Sequence, residues 1–406
     1  MKDSDKSELR NKEPYLRFPE FVGEWFNFKL GDVAKFLKGK GVAKSDIVND
    51  GENECIRYGE LYTVYGETID EVYSKTSQNP NQLFFSEAND VIIPSSGETQ
   101  LDIAKASCVM KSGIALGGDI NVIRTPHNGV FLSYYLNSSK RKDIARLAQG
   151  ISVIHLYSSQ LASLTLNLPT IPEQQKIATF FTTIDQKISQ LKKKHQLLEQ
   201  YKKGVMQKIF SQQIRFKDDD GREFPKWEKK HGNEIFTTVS NKNHNSDLPI
   251  LAITQDQGAI PRDLIDYYIT VSEKSVDSYK VVEKGDFIIS LRSFQGGIEY
   301  SDYTGICSPA YIILRATKEI DNRYFKYYFK TSSYITELNK KLEGIRDGKM
   351  ISFKYFSEIK INVPSLPEQT KIANFLSAID DKIQHTQRQI EQAEQWKKGL
   401  MQKMFL

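Results

Sequence analysis

Side chains able to form paired hydrogen bonds gather in several short loops of this chain. Lys38 and Lys40 stand in FLKGKG, and Arg57 and Tyr58 in CIRYGELYTVYG. Ser95, Ser96 and Thr99 stand in PSSGETQ, and Gln149, Ser152 and His155 in AQGISVIH. Further along come Lys242 and Asn243 in NKNHN, then Gln255 and Arg262 in TQDQGAIPR. Arg292, Ser293 and Gln295 follow in LRSFQGG, and Arg346 and Lys349 in GIRDGKM. Held on loops or strands within a groove, such groups can read base edges. Taken singly, each is more often a solvated surface side chain. As groups they carry more weight, because they fall at corresponding places in two halves of the chain.

Other chemistries find less support. His127, His155, His195, His231, His244 and His385 form no recognisable ligand pair. Cys55, Cys108 and Cys307 are scattered, odd in number and without a CxxC pair, so neither a disulfide framework nor a structural zinc site is indicated. Buried, reduced thiols in a cytoplasmic protein are the expectation. Asp218-Asp219-Asp220-Gly221 lacks the alternating spacing and closing Glu of a calcium loop and reads as a solvated turn. The sequence holds no GxxxxGK[ST] P-loop and no glycine-rich dinucleotide turn. With 39% hydrophobic and 26% charged residues the composition is that of a globular protein, and a net charge of +5 permits a polyanion without demanding one. The polar N-terminus is no signal peptide, and no apolar run approaches a membrane span.

The elements that must position these loops are announced by a repeat. Leu168 to Phe210 aligns without a gap to Val363 to Phe405 at an offset of 195 residues, with roughly half the positions identical. So long a period is a duplicated module and no solenoid. Each copy reads as a variable block followed by one long helix. The chain divides into a disordered lead-in (1–15), a first variable block (16–167), a first helix (168–212), a linker with the second block (213–362), and a second helix (363–406). Within the blocks CIRYGELYTVYG, QLFFS, DVIIPSSGE, INVIRTP, LPILAITQDQG, GDFIISLRS and AYIILRAT read as strands. VFLSYYLNSSKRKDIARLAQG and RYFKYYFKTSSYITELNKKLEG each read as one helix. Phe18-Pro19-Glu20-Phe21 is echoed by Phe224-Pro225-Lys226-Trp227, which suggests that the module boundary repeats too.

Pro172 and Pro367 suit the first helical position, and Glu173 and Glu368 favour the first turn through the helix dipole. Spacings of four and three then mark a seam. In the first helix it runs through Ile177, Phe181, Ile184, Ile188 and Leu191 to His195, Leu198, Lys202, Val205 and Ile209. In the second it runs through Ile372, Leu376, Ile379, Ile383 and Thr386 to Ile390, Ala393, Lys397, Leu400 and Met404. This is a coiled-coil pattern over about 58 Å of helix. Connectivity requires the pair to be antiparallel, with pseudo-twofold symmetry. The expected fold is α+β: two mixed α/β domains, one for each block, joined by two long antiparallel coiled-coil helices. His195, Thr386 and the two seam lysines weaken the apolar face. His385 and the run Lys192-Lys193-Lys194 are expected to face solvent.

The doubled pattern PEQQKIATFFTTIDQKI…QYKKGVMQKIF and PEQTKIANFLSAIDDKI…QWKKGLMQKMF resembles the specificity subunit of type I restriction–modification systems. The resemblance covers nearly the whole chain. It implies that each block reads one half of a bipartite, asymmetric target in double-stranded DNA. It implies helices that dock two methyltransferase subunits, with restriction motor–nuclease subunits joining the complex. The chain itself would then be non-catalytic and without cofactor, its partners using S-adenosylmethionine, ATP and Mg2+. Asn79-Pro80-Asn81-Gln82 shares two residues with the Asn-Pro-Pro-Tyr motif of adenine methyltransferases but lacks the second proline and the aromatic, and reads as a turn. The alternatives are an enzyme with an unrecognised site (a fused methyltransferase or nuclease) and a structural coiled-coil scaffold.

Overall fold

The computed structural model describes residues 13–150, 153–244, 247–265, 276–340 and 351–405. It separates into two compact units, residues 1–192 with 388–406, and residues 193–387. Two long helices, Ile171–Phe210 and Leu366–Met404, each give half their length to each unit. They begin one residue before Pro172 and Pro367, so proline occupies the second helical position, where its missing N–H still costs no bond.

In the first unit a five-stranded sheet runs in the order Lys35–Lys38, Ile120–Arg124, Val91–Pro94, Ser107–Val109, Thr68–Ile69. The strand Phe26–Lys29 pairs antiparallel with Thr165–Leu168, which leads directly into the first long helix. The second unit repeats the plan. Phe236–Val239, Ile312–Ala316, Phe287–Ile289 and Glu299–Tyr300 form a sheet in that order. Glu228–His231 pairs with Lys360–Val363 ahead of the second long helix. In both sheets an aspartate preceding a central strand grips an arginine on its neighbour. Arg124 donates twice to Asp90 (2.8 and 2.8 Å), and Arg315 twice to Asp286 (2.8 and 2.7 Å).

Three readings of the blocks are corrected. Of the CIRYGELYTVYG segment only Cys55 and Ile56 are strand, closing Asn53–Ile56, and Tyr58–Thr63 is a helix started by Glu60 accepting from the Arg57 N–H. QLFFS gives a single bridge, Phe85 to Ala115. Each expected block helix is a pair: Gly129–Asn137 with Arg141–Leu147, and Asn322–Tyr328 with Ser332–Asn339. In the second pair Thr331 caps the new helix through the Tyr334 N–H, a side-chain bond that competes with continuing the first.

The heptad packs as expected within each unit. In the first, Phe181 stacks on Phe405 and Lys192 pairs with Glu394, so the helix segments are antiparallel. In the second, Lys202 pairs with Asp380 while Ile209 and Phe210 share a core with Ile372 and Leu376. Ile177, Phe181, Ile184, Ile188, Leu191, Ile372, Leu376, Ile379 and Ile390 are buried, and Ile383 is half-buried. Thr386 is 1% exposed and donates to the Lys382 carbonyl, so it costs the seam no unpaired hydroxyl. The seam lysines do not merely weaken the apolar face. Lys397 lies 2.7 Å from Asp185 and Lys202 2.5 Å from Asp380, each over a tyrosine ring, Tyr134 and Tyr327. His385 and Lys192–Lys194 are exposed.

The repeated Pro-Glu-Gln fastens block to helix. Glu173 is 1% exposed and takes both ends of the Arg17 guanidinium at 2.7 Å; Glu368, fully buried, takes Arg215 at 3.1 and 2.7 Å. Gln174 donates to the Pro169 carbonyl and accepts from the Asn128 N–H; Gln369 donates to Pro364 and accepts from Asp321. Asn128 and Asp321 in turn cap the next helix of their block. These contacts correct the boundary echo. Phe18 meets Phe180 as Phe216 meets Phe375, so Arg17-Phe18 corresponds to Arg215-Phe216, and the shared Phe-Pro aligns the wrong residues. The three cysteines are free and buried, and burial pushes their thiols up, to about 11 for Cys55 and about 12 for Cys108 and Cys307.

Candidate nucleic-acid interface

In the first unit the strand register carries most of the singled-out residues to one end of the sheet. Lys38 pairs with Asn121, which pairs with Ile93 on the other side. Beyond that rung the Lys40 N–H donates to Leu116 O, the Gly117 N–H to Ile56 O just before Arg57, and the Ser95 N–H to Asp119 O. Ser96 pairs with His155, and His155 bridges to Gln149. A Cβ at Gly39 would lie 2.0 Å from the Gly117 oxygen, so the FLKGKG turn needs its glycine to reach this position.

Side chains on this edge differ in availability. Lys38, Lys40, Thr99, Gln149 and His155 are exposed. Thr99 is engaged in capping the helix Gln100–Ile103 through the Asp102 N–H. Ser95 and Ser96 are 8% exposed and serve mainly through their backbone. Tyr58 packs against the apolar cluster that holds Ile56 and Leu61. Arg57 is half-buried, and its Nε is buried without a partner. An unpaired guanidinium N–H held off solvent is costly, and marks a place where an acceptor would be gained.

The second unit uses the same sheet end with different residues. Counting six residues past the gripped aspartates, Arg292 stands where Ser96 stands. Arg292 is exposed, and its carbonyl accepts from Gln255, whose amide also lies 3.4 Å from Gln295. Gln255, Arg292 and Gln295 therefore form one group. Ser293 is turned inward, 1% exposed, accepting from the Ser290 N–H. Lys242 and Asn243 are exposed beside Asn241, whose carbonyl holds the Val281 N–H. Arg262 is half-buried, with Nε and Nη1 buried and unpartnered. Ser152, Arg346 and Lys349 lie outside the described residues.

Sequence reasoning missed Tyr311 and Lys280. Burial, with Cys307 and Tyr279, pushes the Tyr311 phenol up, and the charges of Arg262 and Arg292 oppose it. Lys280 donates to the Tyr311 carbonyl at 2.7 Å. The tyrosine in AYIILRAT was readable as a strand residue only. Arg262, with its unpartnered nitrogens, and the exposed Arg292 come from separate loops.

Comparison with known proteins agrees with this architecture. The family model described as "Type I restriction modification DNA specificity domain" matches twice, over residues 23–200 and 226–395. The specificity subunit of the type I restriction enzyme MjaVIII of Methanocaldococcus jannaschii is 25% identical over 95% of this chain and 92% of its own length. A putative MjaX specificity subunit of the same organism is 28% identical over 67% of this chain and 66% of its own length. A type I restriction–modification S subunit from M. genitalium shares the fold, with a TM-score of 0.61 at 16% identity over 97% of this chain and 99% of that one. With two matched domains that together take in most of its length, the chain belongs to the type I restriction–modification DNA specificity family.

Proposed function

We propose that the chain is the DNA-recognition subunit of a type I restriction–modification complex. Each block reads one half of a bipartite, asymmetric duplex target, and the helices dock two copies of a methyltransferase subunit. Restriction motor–nuclease subunits join that assembly. Methyl transfer and cleavage belong to the partners, which supply S-adenosylmethionine, ATP and Mg2+ chemistry. The setting is cytoplasmic; among the described residues no helix is long and apolar enough to cross a membrane.

The observation that carries this reading is one scaffold bearing two different edges. The Asp90–Arg124 and Asp286–Arg315 grips hold equivalent strands, yet Ser96 is replaced by Arg292 and the flanking loops differ throughout. Different donors at equivalent places call for different half-sites. Docking of one partner twice is supported by the helices: Tyr201 and Trp396, 195 residues apart, are each 54% exposed. Large exposed aromatics are favoured anchors of protein interfaces. Exchange of residues 226–362 for those of a related subunit, followed by mapping of methylated sites, tests the reading. One half-site should change. A change in both, or a continuous palindromic target, would defeat it.

A further inference from the structure

In the second unit a groove of about 1580 Å³ lies between the helix segments and the recognition block. This exceeds the roughly 300–1,000 Å³ of a small-molecule site. At the corresponding place in the first unit an ion pair ties the block to the helix. Glu67 reaches Lys397 at 3.0 Å and Lys105 at 3.3 Å, closing block onto helix. The register identifies its counterpart. Thr68 faces Cys108 in parallel, and Ala259 faces Ser301; the gripped strands place Cys108 with Tyr300, so Gln257 stands for Glu67. Gln257 is exposed and lines the groove. Beside it Gly258 has φ +75°, and a Cβ there would lie 2.5 Å from the Tyr300 oxygen, so the turn is fixed in place.

The charges in the groove select its occupant. Lys202 pairs with Asp380, Lys326 with Asp302 and Lys330 with Glu299. Outside those pairs the lining offers Lys203 and Lys208 against Glu199 and Asp256. Such balance, with five carboxylates in the wall, does not suit a phosphate backbone. The amides of Gln207, Gln257 and Gln384 each carry a donor and an acceptor, the complement of a peptide backbone.

We propose that this groove takes an extended polypeptide segment of the methyltransferase partner. The inference rests on the docking role given to the helices above. It makes the assembly asymmetric: the partner copy beside the second unit gains a contact that Glu67 forecloses beside the first.

Photoreactive residues placed singly at Gln257 and at Leu197, an exposed position on the first long helix, test this in the complete complex with methyltransferase and target DNA. Both should cross-link to the methyltransferase polypeptide. If Leu197 cross-links while Gln257 yields DNA or nothing, the groove is refuted and helix docking stands. If neither position cross-links, both fall. As a second measure, Gln257→Glu supplies the carboxylate that closes the first unit. It should weaken binding of one of the two partner copies about tenfold with thermal unfolding unchanged, and equal affinity for both copies would overturn the proposal.

Discussion

Lys397 Nζ lies 2.7 Å from Asp185 Oδ1 in the seam between the long helices, and the same ammonium lies 3.0 Å from Glu67 in the recognition block. One cation thus holds helix to helix and helix to block. Its counterpart Lys202 has Asp380 as its carboxylate partner.

Removing these cations should therefore have unequal effects. Lys397→Met takes the shared cation from two carboxylates that are 15% and 29% exposed, leaving Glu67 with Lys105 and Asp185 with the Tyr134 hydroxyl, and should destabilise the first unit by about 2–3 kcal/mol. Lys202→Met takes the cation from one carboxylate, 27% exposed and still held by the Tyr327 hydroxyl, and should cost clearly less. Urea unfolding of the two variants checks the order, and equal losses would contradict it.

Acid should act through the same cluster. Burial would raise the Glu67 carboxyl, but Lys105 and Lys397 reverse this and hold it at about 2, against an ordinary 4.5. A depressed folded-state pKa stabilises above the unfolded value and is lost as pH falls through the folded one. The contribution, on the order of 3 kcal/mol, is thus complete above about pH 4.5 and gone near pH 2. Glu67→Gln should be less stable than wild type at pH 7, and the difference should shrink steadily between pH 4.5 and 2. A gap that stayed constant on acidification would dissociate Glu67 from it.

The seam itself is tested by charge insertion. Ile184 is 7% and Ile379 5% exposed, so Asp at either position buries an unpaired carboxylate. Each variant should unfold or loosen its unit, with a loss of several kcal/mol read by thermal melting and scattering. Unchanged compactness would argue against a packed seam.

How far the sequence disclosed this arrangement depends on how local each signal was. The helices, their seam and the two-block plan were legible because apolar periodicity and the gapless duplication are written along the chain. The split of each block helix was not, since nothing in NSSK or KTSS outweighs the continuing apolar pattern until Thr331 is seen capping Tyr334. Lys202 and Lys397 read as flaws because their acids lie on the opposite helix. Among the candidate interface residues Lys38, Arg292 and Gln255 are exposed, whereas Ser95, Ser96 and Ser293 turn inward. Burial of a small hydroxyl is decided by neighbours that only the fold assembles.

For recognition, Arg292→Ala should relax or weaken reading of the second half-site alone. If Arg292 makes a paired base contact the loss is roughly 1–3 kcal/mol. Mapping of methylated sites in cells carrying the variant decides this, and altered reading of the first half-site would count against separate heads.

For assembly, Trp396→Ala and Tyr201→Ala should each weaken one methyltransferase contact by about 2 kcal/mol or more, and together reduce the two-to-one complex to free subunits. Mass measurement of the purified assemblies gives the answer. A stable complex in the double variant would place docking elsewhere.

The fastenings at Glu173 with Gln174 and at Glu368 with Gln369 have a consequence for inheritance. Both units attach their variable body through the same few residues, and those residues lie inside the duplicated segment. A crossover between the two copies anywhere in that segment keeps the helix register, because they align without a gap. The recombinant would carry a new reading edge on an unchanged socket. A lineage could thus acquire a new target word in one genetic event, with no intermediate that fails to fold.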